Sequence, residues 1–289
     1  MCADLDALAT ALYVTIDDLF GRRRGPGRHP RISDAELACL AVIQVLLGYS
    51  SERHFLRYAH RHLRGLFPGL PGQSGYNRRL RRLTPRLQQA LGHLAVASPS
   101  WCDQLRLLDS TPIPCAASRQ TVDRSALGPY AAYGYCRSHS RWFWGMRLML
   151  LAAPDGMPIA YCLAPANRPE REVALLLLAR SPVAGQTIIG DKGFAGRGFQ
   201  AAVAQLGASF IRPDRRDEPR QVGRLGWIRQ RIESVFDTLK DQLSLERHGG
   251  RTPQGLFTRV TQRLLALAAC VWHNWQLGQP HRSLVAYDH

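Results

Sequence analysis

Residues Gln221–Leu243 read QVGRLGWIRQRIESVFDTLKDQL. Ile228, Ile232, Val235, Phe236, Leu239 and Leu243 recur every three or four residues, which is the spacing of an amphipathic helix packed on a core. At about 100° per residue, Arg229, Glu233 and Lys240 fall within about 40° of one another along the border of that apolar stripe. A carboxylate there is held by packing and can still face a cleft, with fixed positive charge beside it. The plain alternative is a solvated helix edge, where each ion pair is worth about 0.2–0.5 kcal/mol. What the rest of the chain brings to Glu233 decides between them.

Working outward, the segment before this helix alternates strands and helices. Leu105–Leu108 is an apolar strand that leads into Asp109 and then Ser-Thr-Pro-Ile-Pro. Phe143–Leu151 and Met157–Leu163 are two strands joined by Ala-Ala-Pro-Asp-Gly, a turn signal. A short leucine-rich helix over Glu170–Arg180 follows, then a strand Thr187–Gly190 that ends in Asp191-Lys192-Gly193-Phe194. Gly196–Leu206 is helical, Ser209–Ile211 is a final strand, and a last helix runs from about Pro253 to Gln276. The order strand, hairpin, helix, strand, helix, strand, helix predicts an α/β fold, a mixed sheet flanked by helices. Asp109 and Asp191 then stand just past the carboxyl ends of strands, where α/β sheets place their sites. An Asp at such a point is otherwise a turn former.

Asp109, Asp191 and Glu233 would repel one another at one site unless cations neutralised them. Hard divalent ions with oxygen ligands do so best, and magnesium prefers a few carboxylates with water and substrate phosphates. Two such ions about 3.5–4 Å apart clamp the attacking and leaving oxygens of a phosphoryl displacement. The 41 residues between Asp191 and Glu233 leave no room for a large inserted domain.

Residues 1–98 read as helices throughout. Leu5, Leu8, Leu12, Ile16 and Leu19 make a first amphipathic helix, closed by the basic Gly/Pro loop GRRRGPGRHPR. Ser33-Asp34-Ala35-Glu36 is a capping box before a helix that is apolar nearly all round. A third helix runs from Ser51 to about Leu66. In SGYNRRLRRLTPRLQQALGHLAV, Tyr76 and the leucines form the buried side, while Arg78, Arg79, Arg81, Arg82 and Arg86 crowd the other. Thr84-Pro85 predicts a break into two helices, with Thr84 as N-cap. An Arg-loaded short helix suits DNA binding of a helix-turn-helix kind; an ordinary solvated basic face is the other reading. The expected division is a DNA-binding helical region, 1–98, and a catalytic domain, 99–289, that includes the C-terminal helix.

The formal charge is +16 over 289 residues, and a chain that basic most often meets nucleic acid. Lysine occurs only at Lys192 and Lys240, beside Asp191 and on the Glu233 helix. The seven cysteines are scattered, odd in number and form no CxxC, which argues for a reducing compartment and against a disulfide framework or structural zinc. No signal peptide opens the chain and no apolar run reaches membrane-spanning length, so a cytoplasmic protein without membrane contact is expected. His60-Arg61-His62 reads as a polar helix face rather than a metal site, and His248 as a turn residue. The long segment between Asp109 and the second strand carries Tyr130, Tyr133, Tyr135, Arg137, Arg141 and Trp142. They could stack on splayed bases or contact the backbone, or cover the sheet edge.

LLDSTPIP with Asp109, IIGDKGF with Asp191 and RQRIESVFDTLK with Glu233 together resemble the three motifs of DDE-superfamily transposases of bacterial insertion sequences. In many of these the third motif is Tyr-x2-Arg-x3-Glu-x6-Lys. Arg229, Glu233 and Lys240 keep that spacing, while Gly226 stands at the Tyr position. The resemblance covers about residues 70–270 and implies an RNase H-like catalytic domain. It implies that Asp109, Asp191 and Glu233 are catalytic and bind two Mg²⁺ ions, with Mn²⁺ able to substitute. One ion would activate water to nick DNA at the element end, and then the freed 3′ hydroxyl to attack target DNA. Lys240 and Arg229 would hold phosphates of the terminal DNA, and Lys192 would support the metal site or the strand. The partners implied are double-stranded DNA, as element ends and target, and a second copy of the chain when bound to DNA. Two other activities share these residues: a stand-alone metal-dependent nuclease or resolvase, and a catalytically silent DNA-binding protein derived from a transposase.

Overall fold

A computed structural model describes residues 3–21, 30–136, 140–214 and 225–287, with the side chains of residues 227–229 outside the description. In chain order the elements are α1 (Ala3–Phe20), α2 (Asp34–Leu46), α3 (Glu52–His62), α4 (Gln73–Val96), β1 (Leu105–Ala116), α5 (Arg119–Asp123), β2 (Ala132–Cys136), β3 (Arg141–Ala152), β4 (Pro158–Pro165), α6 (Glu170–Leu178), β5 (Thr187–Gly190), α7 (Arg197–Gln205), β6 (Ser209–Ile211), α8 (Gly226–Asp237) and α9 (Pro253–Gln276). They form two compact units. One comprises Met1–Leu94, Leu239–Gly250 and Gln254–His289, and the other Ala95–Thr238 with Arg251–Pro253.

The helical unit is organised around two buried helices. In α2 the Ser33 side chain accepts from the Glu36 N–H, and the Glu36 carboxylate accepts from the Ser33 N–H, so the capping box satisfies two orphan donors. Residues 260–274 of α9 are buried on every side. A polar network runs through this apolar interior. Gln262 Nε2 donates to Ala41 O at 2.7 Å and Gln44 Oε1 at 3.2 Å, and Tyr76 Oη donates to the same Gln44 Oε1 at 2.8 Å. Arg259 donates to Gln262 Oε1 and pairs with Glu52, whose carboxylate also accepts from Asn77 Nδ2. Burial lowers the Arg259 guanidinium to about 10. Beyond α9, Asn274 Nδ2 donates to the carbonyls of Pro280, His281 and Ser283, which folds the following segment back onto the helix end.

Two expectations change here. The division at residue 98 assigned α9 to the sheet, whereas its contacts place it with α1–α4. Its all-round burial and its bonds to Gln44 and Ala41 are the physical reason. The break at Thr84-Pro85 does not occur, and α4 runs through Pro85. Proline removes the donor that Arg81 O would have received. Thr84 Oγ1 at 2.9 Å and Gln254 Nε2 at 3.2 Å donate to Arg81 O in its place.

The other unit is built on a six-stranded mixed sheet in the order β2-β3-β1-β5-β6, with β4 also on β3. β1, β5 and β6 are parallel neighbours, and β3 runs antiparallel to β1, β2 and β4. β2 pairs residues 141–145 of β3 and β4 pairs residues 146–152, so the two lie end to end along one edge of β3. The β3–β4 turn closes on Gly156 at φ 96°, a left-handed conformation that suits glycine, and Asp155 Oδ1 accepts from Met157 N–H. The mixed sheet flanked by helices, preceded by a helical region, is as expected and is compatible with an RNase H-like fold. The sequence pattern missed β2 and α5, which lie in the segment read only as aromatic and basic. β1 also runs longer than expected, to Ala116, because β3 pairs it that far. Pro112 and Pro114 are tolerated there because both fall beyond Leu108, the last residue that β5 pairs.

Candidate active site

Asp109 lies inside β1 rather than past its end, and it is the first residue beyond the parallel pairing with β5. The last pair of that ladder is Leu108↔Gly190, so Asp109 and Asp191 are the next residues in register on strands about 4.8 Å apart. Both are half-buried. Gly190 must be small: a Cβ there would stand 2.8 Å from Phe210 Cζ and 3.1 Å from Phe194. Phe194, Phe199 and Phe210 form an aromatic cluster with ring centroids 4.9–6.2 Å apart. That cluster fixes the 3-10 turn Lys192–Phe194, and with it Asp191, against α7 and β6.

α8 packs against β1 and carries Glu233, which is exposed. Ile232, Val235 and Phe236 of the same helix are buried, as the periodicity requires. Lys192 is exposed beside Asp191, and Lys240 lies half-buried in a π-helical turn, Thr238–Gln242. The two aspartates are therefore neighbours through strand register and Glu233 rides on a helix that touches β1. Among the described residues no group of three or more His, Cys, Asp or Glu is placed to hold a metal ion. The oxygen donors present suit a cation that takes one or two protein carboxylates and completes its shell with water and phosphate oxygens, as magnesium does.

Four residues around the aspartates escaped the sequence reading. Ser110 Oγ donates to Glu170 Oε1 at 3.1 Å, and Glu170 also pairs with Arg147 of β3. The next residue, Arg171, donates through Nε to Gly193 O at 3.1 Å, two residues after Asp191. The first turn of α6 thus ties β1, β3 and the loop after β5 to one another. An acidic first turn, Glu170 and Glu172, was the available signal, yet it reads equally as ordinary helix-dipole compensation. Thr111 adds a second feature: it is 2% exposed, two residues beyond Asp109, and its Oγ1 has no hydrogen-bond partner.

The expected DNA-contacting arginines divide. Arg78, Arg82 and Arg141 are exposed and Arg81 is half-buried. Arg79 is held internally, donating to Ile32 O and to Asp34 at 2.9 Å. Arg86 pairs with Asp34 at 3.2 Å and lies over the Phe20 ring. Arg137, the Arg229 side chain and most of the basic loop after α1 lie outside the described residues. His248 Nδ1 accepts from Gly250 N–H at 3.0 Å, a turn role as expected.

A family model described as transposase DDE domain matches residues 100–269, more than half of the chain. The chain belongs to the family of transposase DDE domains. Membership gives the domain a transposase-type function, with DNA as substrate and, in this family generally, divalent metal ions as cofactors. The match begins five residues before β1 and ends within α9, so it takes in β1, β5 and α8 of this transposase domain. No curated protein matches the chain. No helix among the described residues is long and apolar enough to cross a membrane.

Proposed function

We propose that the chain is an insertion-sequence transposase that nicks DNA at an element end and joins the freed 3′ end to target DNA. The observation that carries this reading is the parallel β1–β5 ladder, whose next residues in register are Asp109 and Asp191, in a chain of the transposase DDE domain family. Asp109 and Asp191, which the ladder brings together, would hold Mg²⁺, and Glu233 is assigned the third carboxylate by the motif, although the described residues do not gather the three into one group. When bound, the ion would polarise the scissile phosphate and favour deprotonation of the attacking water or 3′ hydroxyl.

The chain's own residues do the positioning. The β-ladder sets the spacing of the two aspartates, and the phenylalanine cluster fixes the turn that follows Asp191. Lys192 offers a compact charge to a phosphate beside the site. Lys240 and Arg229 are assigned phosphates of the terminal DNA, and Arg78, Arg81, Arg82, Arg137 and Arg141 backbone contacts elsewhere. Arg79 is withdrawn from that set, because Asp34 already holds its guanidinium.

The test uses purified protein and duplex DNA carrying the gene's flanks, in Mg²⁺ or EDTA, with wild type compared with Asp191→Asn. Magnesium-dependent nicking at one flank position, lost in the variant with duplex binding retained, is the expected result. Cleavage without position preference would turn the reading to a nuclease. Specific binding without any cleavage would turn it to a silent DNA-binding derivative, and nicking by Asp191→Asn at the wild-type rate would remove Asp191 from the site.

A further inference from the structure

The hairpin of β2 and β3 carries aromatic side chains that the core does not use. Trp142 is 70% exposed, Tyr133 53% and Tyr135 43%. Tyr135 stands directly opposite Trp142 in the ladder and Tyr133 opposite Trp144, and directly opposed residues of an antiparallel pair share a face. The rings of Tyr135 and Trp142 lie 5.4 Å apart, centroid to centroid. Trp144, next along the same face, is buried and anchors the row at one end. The opposite face of the hairpin is closed differently, by Cys136, Phe143 and Ala166. Leaving three large aromatics in water on one face of a short hairpin forgoes about 1.5–3 kcal/mol of burial apiece.

The position of this row on the sheet is informative. Strand alternation puts Trp142, Trp144, Met146, Leu148 and Leu150 on one face of β3, and Leu150 is the residue opposite Asp109. The row therefore lies on the face to which Asp109 belongs, eight residues along one strand. At about 3.4 Å per residue that is roughly 27 Å. Arg141, adjacent in sequence, is exposed, and the whole chain carries +16, so a polyanion is favoured over another apolar surface.

We propose that Trp142, Tyr135 and Tyr133 form a stacking platform for unpaired bases of the DNA substrate. The inference rests on the transposase reading and deepens it: the substrate would include a single-stranded or unstacked stretch away from the cleaved phosphate. Aromatic side chains suit this because every base has a π-face, so the platform reads exposure of bases rather than their sequence.

The experiment is fluorescence anisotropy of the full chain with a labelled mixed-sequence 20-mer, single-stranded and as a duplex, for wild type, Trp142→Ala, Trp142→Phe and Tyr135→Ala. Trp142→Ala and Tyr135→Ala should each weaken single-strand binding by roughly 5- to 100-fold, with duplex binding changed less than twofold and Trp142→Phe close to wild type. Circular dichroism of each variant should overlay that of wild type, since Trp142 and Tyr135 are surface residues. Single-strand binding by Trp142→Ala equal to wild type, or no single-strand binding by wild type, overturns the platform. So does a loss of self-association in Trp142→Ala at sedimentation equilibrium with single-strand binding unchanged, which would make the row a contact between copies. Site-specific nicking by wild type in the same preparation shows that the platform alone has failed; absence of both nicking and DNA binding shows that the transposase reading has.

Discussion

Glu170 accepts a hydrogen bond from Ser110, the residue after Asp109, and pairs with Arg147, while Arg171 beside it holds the carbonyl of Gly193. Outer partners of this kind orient carboxylates without touching the reacting atoms, and their loss typically costs about 10- to 100-fold in metal affinity or activity. Glu170→Gln keeps an acceptor for Ser110 but removes the charge that Arg147 faces. The expected outcome is a nicking rate lowered about 10-fold or more and a higher magnesium concentration for half-maximal nicking, with an unchanged circular dichroism spectrum. A magnesium titration of the variant beside wild type checks this; an unmoved titration curve would reduce Glu170 to a purely structural role. Neither Glu170 nor Arg147 was legible in the sequence, because a pair 23 residues apart across a hairpin leaves no periodic trace. Asp109 and Asp191 were legible as candidates because each closes an apolar run, although the continuation of β1 past Asp109 was not. That continuation depends on β3, a partner that local pattern does not see.

At the scale of elements, periodicity and turn residues located β5, β6, α7, α8 and α9 to within a few residues, since each has a clean apolar pattern bounded by Gly, Pro or Asp. Pattern failed where a partner elsewhere in the chain supplied what the local sequence lacked. Pro85 would end an isolated helix, and α4 continues because Thr84 and Gln254 donate to the orphaned Arg81 carbonyl. β2 was hidden because, although its burial alternates, the exposed positions are tyrosines and one buried position is a glycine, so the alternation leaves no apolar-polar pattern in the sequence. The buried Glu52–Arg259 pair shows the energetic side of such long-range support. Removing one member of a buried ion pair strands the other in a low dielectric and costs about 3–5 kcal/mol. Glu52→Ala should therefore destabilise the helical unit by about that amount. Urea denaturation followed by circular dichroism measures it, and a loss below about 1 kcal/mol would place the Arg259 charge in contact with water instead, as for exposed pairs.

At the scale of the whole molecule, the helical unit is assembled from three stretches of chain, and the sheet unit is spliced between the first and second, with Arg251–Pro253 between the second and third. α9 supplies Val260, Leu264, Leu267 and Val271 to the interior of the helical unit. At about 1.5–3 kcal/mol each, these four side chains alone approach the 5–15 kcal/mol by which a typical domain is stable. Residues 1–98 expressed alone should accordingly show helical content without a cooperative thermal transition, and should gain one when mixed with a 239–289 peptide. A cooperative melt of the fragment by itself would contradict the role given to α9.

Vectorial synthesis gives this splicing a meaning in time. A ribosome adding about 5–20 residues per second needs roughly 10–40 s between residue 98 and the end of α9. For that interval the first four helices exist without the helix that closes them, and both aspartate-bearing strands, β1 and β5, are made before that helix. A message cut short between β6 and α9 would release a chain that has all six strands of the sheet but lacks the helix that fills the interior of the helical unit. Completion of α9 is thus the step at which the helical unit first has all of its interior.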